Sequence, residues 1–263
     1  MSHTRGSARR EGAPLLKLLG AALLLAALGQ PCVAASRTVD LYLPDAPPLS
    51  LPGQDGTFGI LGDVTLQAAT RAGFDLHVVS LPWSRAQRTV QVGTDQLIIP
   101  LSRTPEREDA YTWIAPIMSM DRAFFSLDKR VDSFEQARAT YARVAVGMGS
   151  AQEQKLRDEG FSDQQIYPVK IGENPAMLLL RGRVDAWFNG IPETRYIWPQ
   201  VSDRALQTSP ALMTTDLYLA CSKRCDRAIV QRMREAVEAM RDDGSLQRLR
   251  DHYLDRLHEP GAR

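Results

Sequence analysis

The chain has 263 residues, 44% hydrophobic and 24% charged, with 32 Lys+Arg against 31 Asp+Glu. That composition suits one large or two small globular domains and excludes a chain disordered over most of its length. The charge balance, with no clustered basic stretch in the body of the chain, excludes nucleic acid as the main partner.

Residues 1–35 read as a secretory signal peptide. Arg5, Arg9, Arg10 and Lys17 come first, with an apolar run over 18–28 and the small residues Val33 and Ala35 before Ser36. An apolar run of 11 residues is too short to span a bilayer, which takes about 20. Cys32 follows Pro31 and so lacks the small preceding residue that lipid attachment requires. Removal of 1–35 takes four basic residues and one acidic, leaving 28 Lys+Arg against 30 Asp+Glu.

Periodicity then predicts a strand over 39–43, a loop rich in proline (Pro44, Pro47, Pro48, Pro52) and a GQDG turn over 53–56. Leu61, Val64, Ala68 and Ala72 share one helical face, so 61–72 is a predicted helix stopped by Gly73. A strand over 76–81, a helix over 84–92 and an apolar strand over 96–99 follow. Alternation of strand and helix is the pattern of a parallel α/β sheet. Directly after that strand comes LSRTPEREDAYTW, 101–113, polar and charged, with one proline.

Residues 117–127 read as a long extended segment, with Ala123, Phe125 and Leu127 alternating, and the α/β pattern restarts beyond it. Strands are predicted over 143–147, 166–171 and 184–188, and helices over 150–159 and 175–181, with Pro175 at a favourable first-turn position. A second crossing strand over 213–220 precedes helices over 226–241 and 245–257. The expected organisation is lobe 1 over 36–125, lobe 2 over 126–212, and a return to lobe 1 over 213–263. Ligands favour the crevice between two such units.

Beyond residue 35 only Cys221 and Cys225 remain, and in an oxidising compartment they are expected to form a local disulfide. No metal is expected, because His77, His252 and His258 show neither i to i+4 pairing nor an H-E-x-x-H pattern. GMGSAQEQ, 147–154, is glycine-rich but lacks the lysine of a phosphate-binding P-loop, so no nucleotide cofactor is expected.

Four segments together resemble the bacterial extracellular solute-binding proteins of family 3, the polar amino acid type. They are Pro47-Pro48 with the glycine-containing turn and helix after it; LPWSRA, 81–86; SRTPERE, 102–108; and VAVGMGSAQEQ, 144–154, followed by LLRGRVDAWFNGIP, 179–192. YLACSKRC, 218–225, and DDGSLQRLRDHY, 242–253, also fit the family. The resemblance spans nearly all of the chain after residue 35. It implies a type II periplasmic binding fold, with two α/β lobes, each a mixed sheet flanked by helices, and a two-strand hinge. It also implies a monomeric periplasmic protein that binds a small solute and hands it to a membrane transporter, with no cofactor and no catalysis.

By that resemblance Arg107 grips a solute carboxylate, a task its planar, permanently charged fork suits, while Ser102 supports it and Pro105 and Glu106 set the turn. Arg103 is a candidate for a second anionic group. Trp83 is either an aromatic wall of the cleft or a cover for the lobe 1 core. Arg85 either faces the cleft or pairs with a carboxylate. Gly149 and Ser150 stand where a helix start exposes unpaired N–H groups to an anion, and Ser150 caps the helix, contacts solute or does both.

The sequence also departs from the family. Where amino acid binders carry a lobe 2 Asp that holds the ammonium group, GRVDAWFNGIP, 182–192, has Gly190. Asn189, Glu173 and Glu193 are the residues that remain for a different amine contact, or the solute is an acidic one. Two other functions are compatible with the scaffold. One is a periplasmic dehydratase of the cyclohexadienyl type, for which Glu173 or Glu193 is the candidate general acid. The other is a ligand-sensing module for a membrane receptor.

Overall fold

In a computed structural model, residues 1–4, 36–53 and 56–255 are described. The predicted signal peptide lies almost wholly outside the described residues, as do the middle of the GQDG turn and the predicted last residues of the C-terminal helix. The unit discussed below begins at Arg37.

Strand β1, Arg37–Leu43, is the centre of the first lobe. It pairs in parallel with β2, Phe74–Ser80, and with β3, Leu97–Ser102. The helices between them, α1 (Gly59–Ala72) and α2 (Trp83–Val92), lie against opposite faces of the sheet. The alternation along β1 does the sorting: Leu41 and Leu43 face the core that holds α1, and Tyr42 faces the core that holds Trp83 and Val90 of α2. Helix α1 stops at Gly73, whose φ of 71° places it in the left-handed region while its N–H returns to the carbonyls of Ala69 and Thr70.

Strand β3 runs three residues further than the apolar pattern suggests, straight through Pro100. The ladder tolerates this because its register breaks between Ile98 and Leu101, so Pro100 is not asked for a donor. The same device extends β4, Tyr111–Ser126, to 16 residues. Its ladder with β9, Met213–Ser222, shifts register beside Pro116, so the strand begins six residues before the segment that alternation marks.

These two long strands link the halves of the molecule. Pairing of β3 with β9 ends at Ser102 and Leu217, and pairing of β4 with β7, Ala186–Gly190, starts at Arg122 and Gly190. Between those limits Ser119–Asp216, Met120–Thr215 and Asp121–Thr214 pair with each other, a two-stranded hinge. Among the described residues nine strands form one sheet in the order β2-β1-β3-β9-β4-β7-β5-β6, where β5 is Val144–Gly147 and β6 is Ile166–Val169, with β8, Gln207–Thr208, on β4.

Beyond the hinge, β5 (Val144–Gly147) pairs in parallel with β6 (Ile166–Val169) and β7. Helices α3 (Phe134–Thr140), α4 (Ala151–Asp158), α5 (Pro175–Leu180) and α6 (Ile191–Ile197) complete the second lobe. Val144 and Val146 face a core with Phe124, Leu156 and Phe188, while Ala145 faces one with Leu179 and Trp187. The chain ends in α7 (Arg227–Asp242) and α8 (Ser245–Asp255), both packed into the first lobe beside α1.

The expected disulfide is present: Cys221 at the end of β9 is bonded to Cys225, with 6.1 Å between their Cα atoms. It closes so small a ring that chain entropy assigns it about 2 kcal/mol. Reduction is therefore expected to lower the unfolding free energy by about that amount. Urea denaturation with and without reductant measures it; loss of the folded state on reduction would contradict the estimate.

Candidate functional site

Several chain segments meet where the lobes face each other, among them the β1–α1 loop, the end of β3 with the 3-10 helix Pro105–Ala110, the hinge part of β4, the β5–α4 turn, the β6–α5 loop and the β7–α6 junction. Two cavities open there. The smaller, about 50 Å³, is walled by Trp83, Ser102, Arg107, Met120, Arg122 and Leu217. The larger, about 240 Å³, takes in Asp45, Lys170, Glu173, Trp187, Asn189 and Tyr196. They share Ala46, Ser150, Gln152, Ile171 and Glu193.

Arg107 projects inward from the 3-10 helix. Its Nη1 donates to the Ser102 carbonyl at 3.3 Å and its Nη2 to the Gly149 carbonyl of the other lobe at 3.0 Å. Burial lowers its pKa, yet at any physiological pH it remains a cation. Gln87 of α2 donates to the same Gly149 carbonyl at 2.9 Å, so both lobes meet at that peptide.

Behind Arg107 lies a second arginine that the sequence reading did not select. Arg122 is 1% exposed. It donates to the Ser102 hydroxyl (2.9 Å), the Thr215 hydroxyl (2.8 Å) and the Met120 carbonyl (3.1 Å), and its Nε has no partner. Burial first, and then repulsion from Arg107, bring its pKa down to about 10, against the attraction of Glu193 and Asp121. The available sequence signal was one basic residue inside the apolar run 117–127. A buried arginine facing a cavity is a charge that packing alone does not call for.

Ser102 is buried and belongs to the same network: its hydroxyl accepts from Arg122 and its carbonyl from Arg107. Trp83 packs with Tyr42 and Val90 and also walls the smaller cavity. Ser150 is the N-cap of α4, its hydroxyl accepting from the Glu153 N–H at 3.2 Å, and it borders both cavities. Asn189 borders the larger cavity and donates to the Thr194 hydroxyl at 3.3 Å.

Three of the candidate residues lie outside the linings of the two cavities. Arg103 turns away from the cavities, because Glu108 takes its guanidinium and the rings of Trp113 and Tyr218 lie 5.5 and 5.4 Å beneath it. Arg85 is exposed on α2 and lines neither cavity. Gly149 also lines neither. Its N–H goes to Glu153 Oε2 at 2.7 Å, so a carboxylate of the protein itself sits at the start of α4.

The two candidate acids differ. Glu173 is exposed, 3.8 Å from Lys170. Glu193, in the first turn of α6, borders both cavities, and its Oε2 is buried without a hydrogen-bond partner. Burial pushes its pKa up to about 7, with Arg122 and the Gly190 N–H opposing. The cleft is thus bipolar: two guanidinium groups border the smaller cavity, and Asp45, Glu173 and Glu193 outnumber Lys170 around the larger.

The sequence profile of the bacterial extracellular solute-binding proteins, family 3, matches residues 41–256. No curated protein sequence matches the chain. Among solved structures, a histidine kinase sensor domain similar to periplasmic binding proteins superposes with a TM-score of 0.75 at 18% identity, covering 83% of this chain and 96% of that one. A mutant of ArgBP from T. maritima gives 0.73 at 18% identity, with 83% and 95% coverage. An ancestral amino acid-binding protein, described as a precursor of cyclohexadienyl dehydratase, gives 0.70 at 20% identity, with 82% and 95% coverage. At such identities the structures speak for the fold alone. It is the two-lobed type II periplasmic binding fold, and with the profile match over most of its length, the chain belongs to the bacterial extracellular solute-binding proteins of family 3.

Proposed function

We propose that the protein captures a small carboxylate-bearing solute between its lobes in the periplasm and delivers it to an ABC transporter in the membrane. The observation that carries this reading is the inward guanidinium of Arg107, backed by buried Arg122 and Ser102, in a cavity walled by Trp83. The Arg107 fork is held by two peptide carbonyls, Ser102 from its own lobe and Gly149 from the other. A carboxylate is the stronger acceptor for such a fork. A solute that accepts from Arg107 while touching the α4 start or Glu193 bridges the lobes, and its preference for that state holds the hinge shut.

Thermal-shift screening of a chain starting at Ser36 tests this reading. A carboxylate present at about 100 times its dissociation constant is expected to raise the melting temperature by about 5–10 °C. A screen in which only uncharged solutes raise it would overturn the proposal.

Glu193 favours a second reading, a dehydratase of the cyclohexadienyl type, since a buried carboxyl near neutrality beside two guanidinium groups suits a general acid. Incubation with prephenate or arogenate decides it: aromatic product that accumulates in proportion to the enzyme establishes turnover, and its absence leaves solute binding.

A further inference from the structure

The lobes meet at the β5–α4 turn through a contact built from protein groups alone. The Gly149 carbonyl, on the lobe 2 side, accepts two hydrogen bonds from lobe 1, one from Arg107 Nη2 at 3.0 Å and one from Gln87 Nε2 at 2.9 Å. Two lone pairs let the single oxygen serve both donors. The approach is close: a Cβ added at Gly149, whose φ is 71°, would stand 2.6 Å from Ser84 Oγ and 3.4 Å from Gln87 Nε2. Ser84 and Gln87 lie three apart on one face of α2, while Trp83, Ala86 and Val90 anchor that helix in the core of the first lobe. Gln87 is therefore presented to the facing lobe from a rigid element. It lines neither cavity, so it is not placed to touch a solute held there, whereas Arg107 lines the smaller one.

We propose that Gln87 and the Gly149 carbonyl form a latch that draws the lobes together before a solute arrives, which makes Gln87 a positioning residue for capture. The two donors have unequal reasons to stay on that carbonyl. A carboxylate entering the smaller cavity is a stronger acceptor for a guanidinium than a neutral carbonyl is, so Arg107 changes partner. A neutral amide gains less from such an exchange, and from outside the cavity Gln87 keeps Gly149. The lobes thus stay joined while the charged donor is handed over. The handover rests on the carboxylate reading above; the latch does not. Apparent affinity scales with the fraction of molecules whose lobes are already together, so loss of the latch weakens capture without removing any solute contact. One net hydrogen bond makes that loss about 2- to 10-fold.

Pulsed electron paramagnetic resonance, run without added solute, tests the latch. Nitroxides are attached through Val92→Cys in lobe 1 and Gln164→Cys in lobe 2, both exposed positions, in a chain starting at Ser36, where Cys221 and Cys225 are bonded to each other and leave no other thiol. The labelled parent is compared with Gln87→Ala and with Gln87→Met, which keeps the side-chain length without the donor; if one variant fails to fold, the other decides. The expected result is a population with the lobes together in the parent, whose ratio to the population with the lobes apart falls about 2- to 10-fold in both variants. The same distance distribution in parent and variants overturns the latch. Calorimetry with L-glutamate, L-arginine, 2-oxoglutarate and succinate then reads the positioning role. Any of these that binds the parent is expected to bind the Gln87 variants about 2- to 10-fold more weakly, and equal affinity refutes that role. Binding by none of the four, with the distances shifting as expected, counts against the carboxylate reading and leaves the latch standing.

Discussion

Replacing Arg107 by Ala is expected to cost about 2–5 kcal/mol of solute affinity, roughly 30-fold to several thousandfold. The loss is large because it acts on both partners. The solute carboxylate loses two parallel hydrogen bonds from a preorganised fork, and it is left facing buried Arg122, whose Nη groups already donate to Ser102, Thr215 and Met120. Folding is expected to change much less. Arg107 gives its hydrogen bonds to two neutral carbonyls, so truncation strands no buried acid. Arg107→Lys is expected to recover only part of the affinity, because a point charge cannot reproduce the planar fork. Titration calorimetry with the solute found by thermal shift reads both variants. Unchanged affinity in Arg107→Ala removes this residue from the site.

Phe124→Ala is expected to destabilise the fold by about 3–5 kcal/mol. Phe124 is 1% exposed on β4, just past the hinge, and four rings surround it: Phe188 at 4.6 Å, Phe134 at 5.7 Å, Tyr141 at 5.9 Å and Phe161 at 6.1 Å between centroids. These come from β7, α3 and the segments after α3 and α4, so the ring is the contact shared by much of the second lobe's core. Its removal loses transfer energy and leaves a cavity that strands held in a ladder cannot collapse to fill. Phe124→Leu keeps most of the volume and is expected to cost clearly less. Urea denaturation of the three proteins gives the differences, and a loss below about 1 kcal/mol for the Ala variant contradicts the packing argument.

The elements legible in the sequence are those whose pattern repeats locally. Leu61, Val64, Ala68 and Ala72 mark α1, and Ile229, Met233, Val237 and Met240 mark α7, because one face of each packs on the sheet. Other stretches were not legible. The first six residues of β4 were hidden by Pro116, which the ladder admits at a register shift. Helix α3 buries only Ala137 among its own residues and carries little pattern. Helix α6 starts on Gly190 without a side-chain cap, and Pro192 in its first turn reads equally well as a loop.

The site divides in the same way. Residue types and spacing single out Arg103 and Arg107 alike, four apart in one polar loop. Only the 3-10 helix separates them, directing one guanidinium to Glu108 and the other to the facing lobe. Arg122 shows locally only as one basic residue inside an apolar run, and Glu193 only as one glutamate among several. Their importance comes from burial beside each other, produced when two long strands and the β7–α6 junction meet at the hinge.

The alternating α/β elements, the cystine and the family pattern are readable from the chain alone, since each depends on near neighbours along it. Which charges share a cavity emerges only once the chain is folded. Those relations join residues from Asp45 to Leu217, and desolvation acts through space.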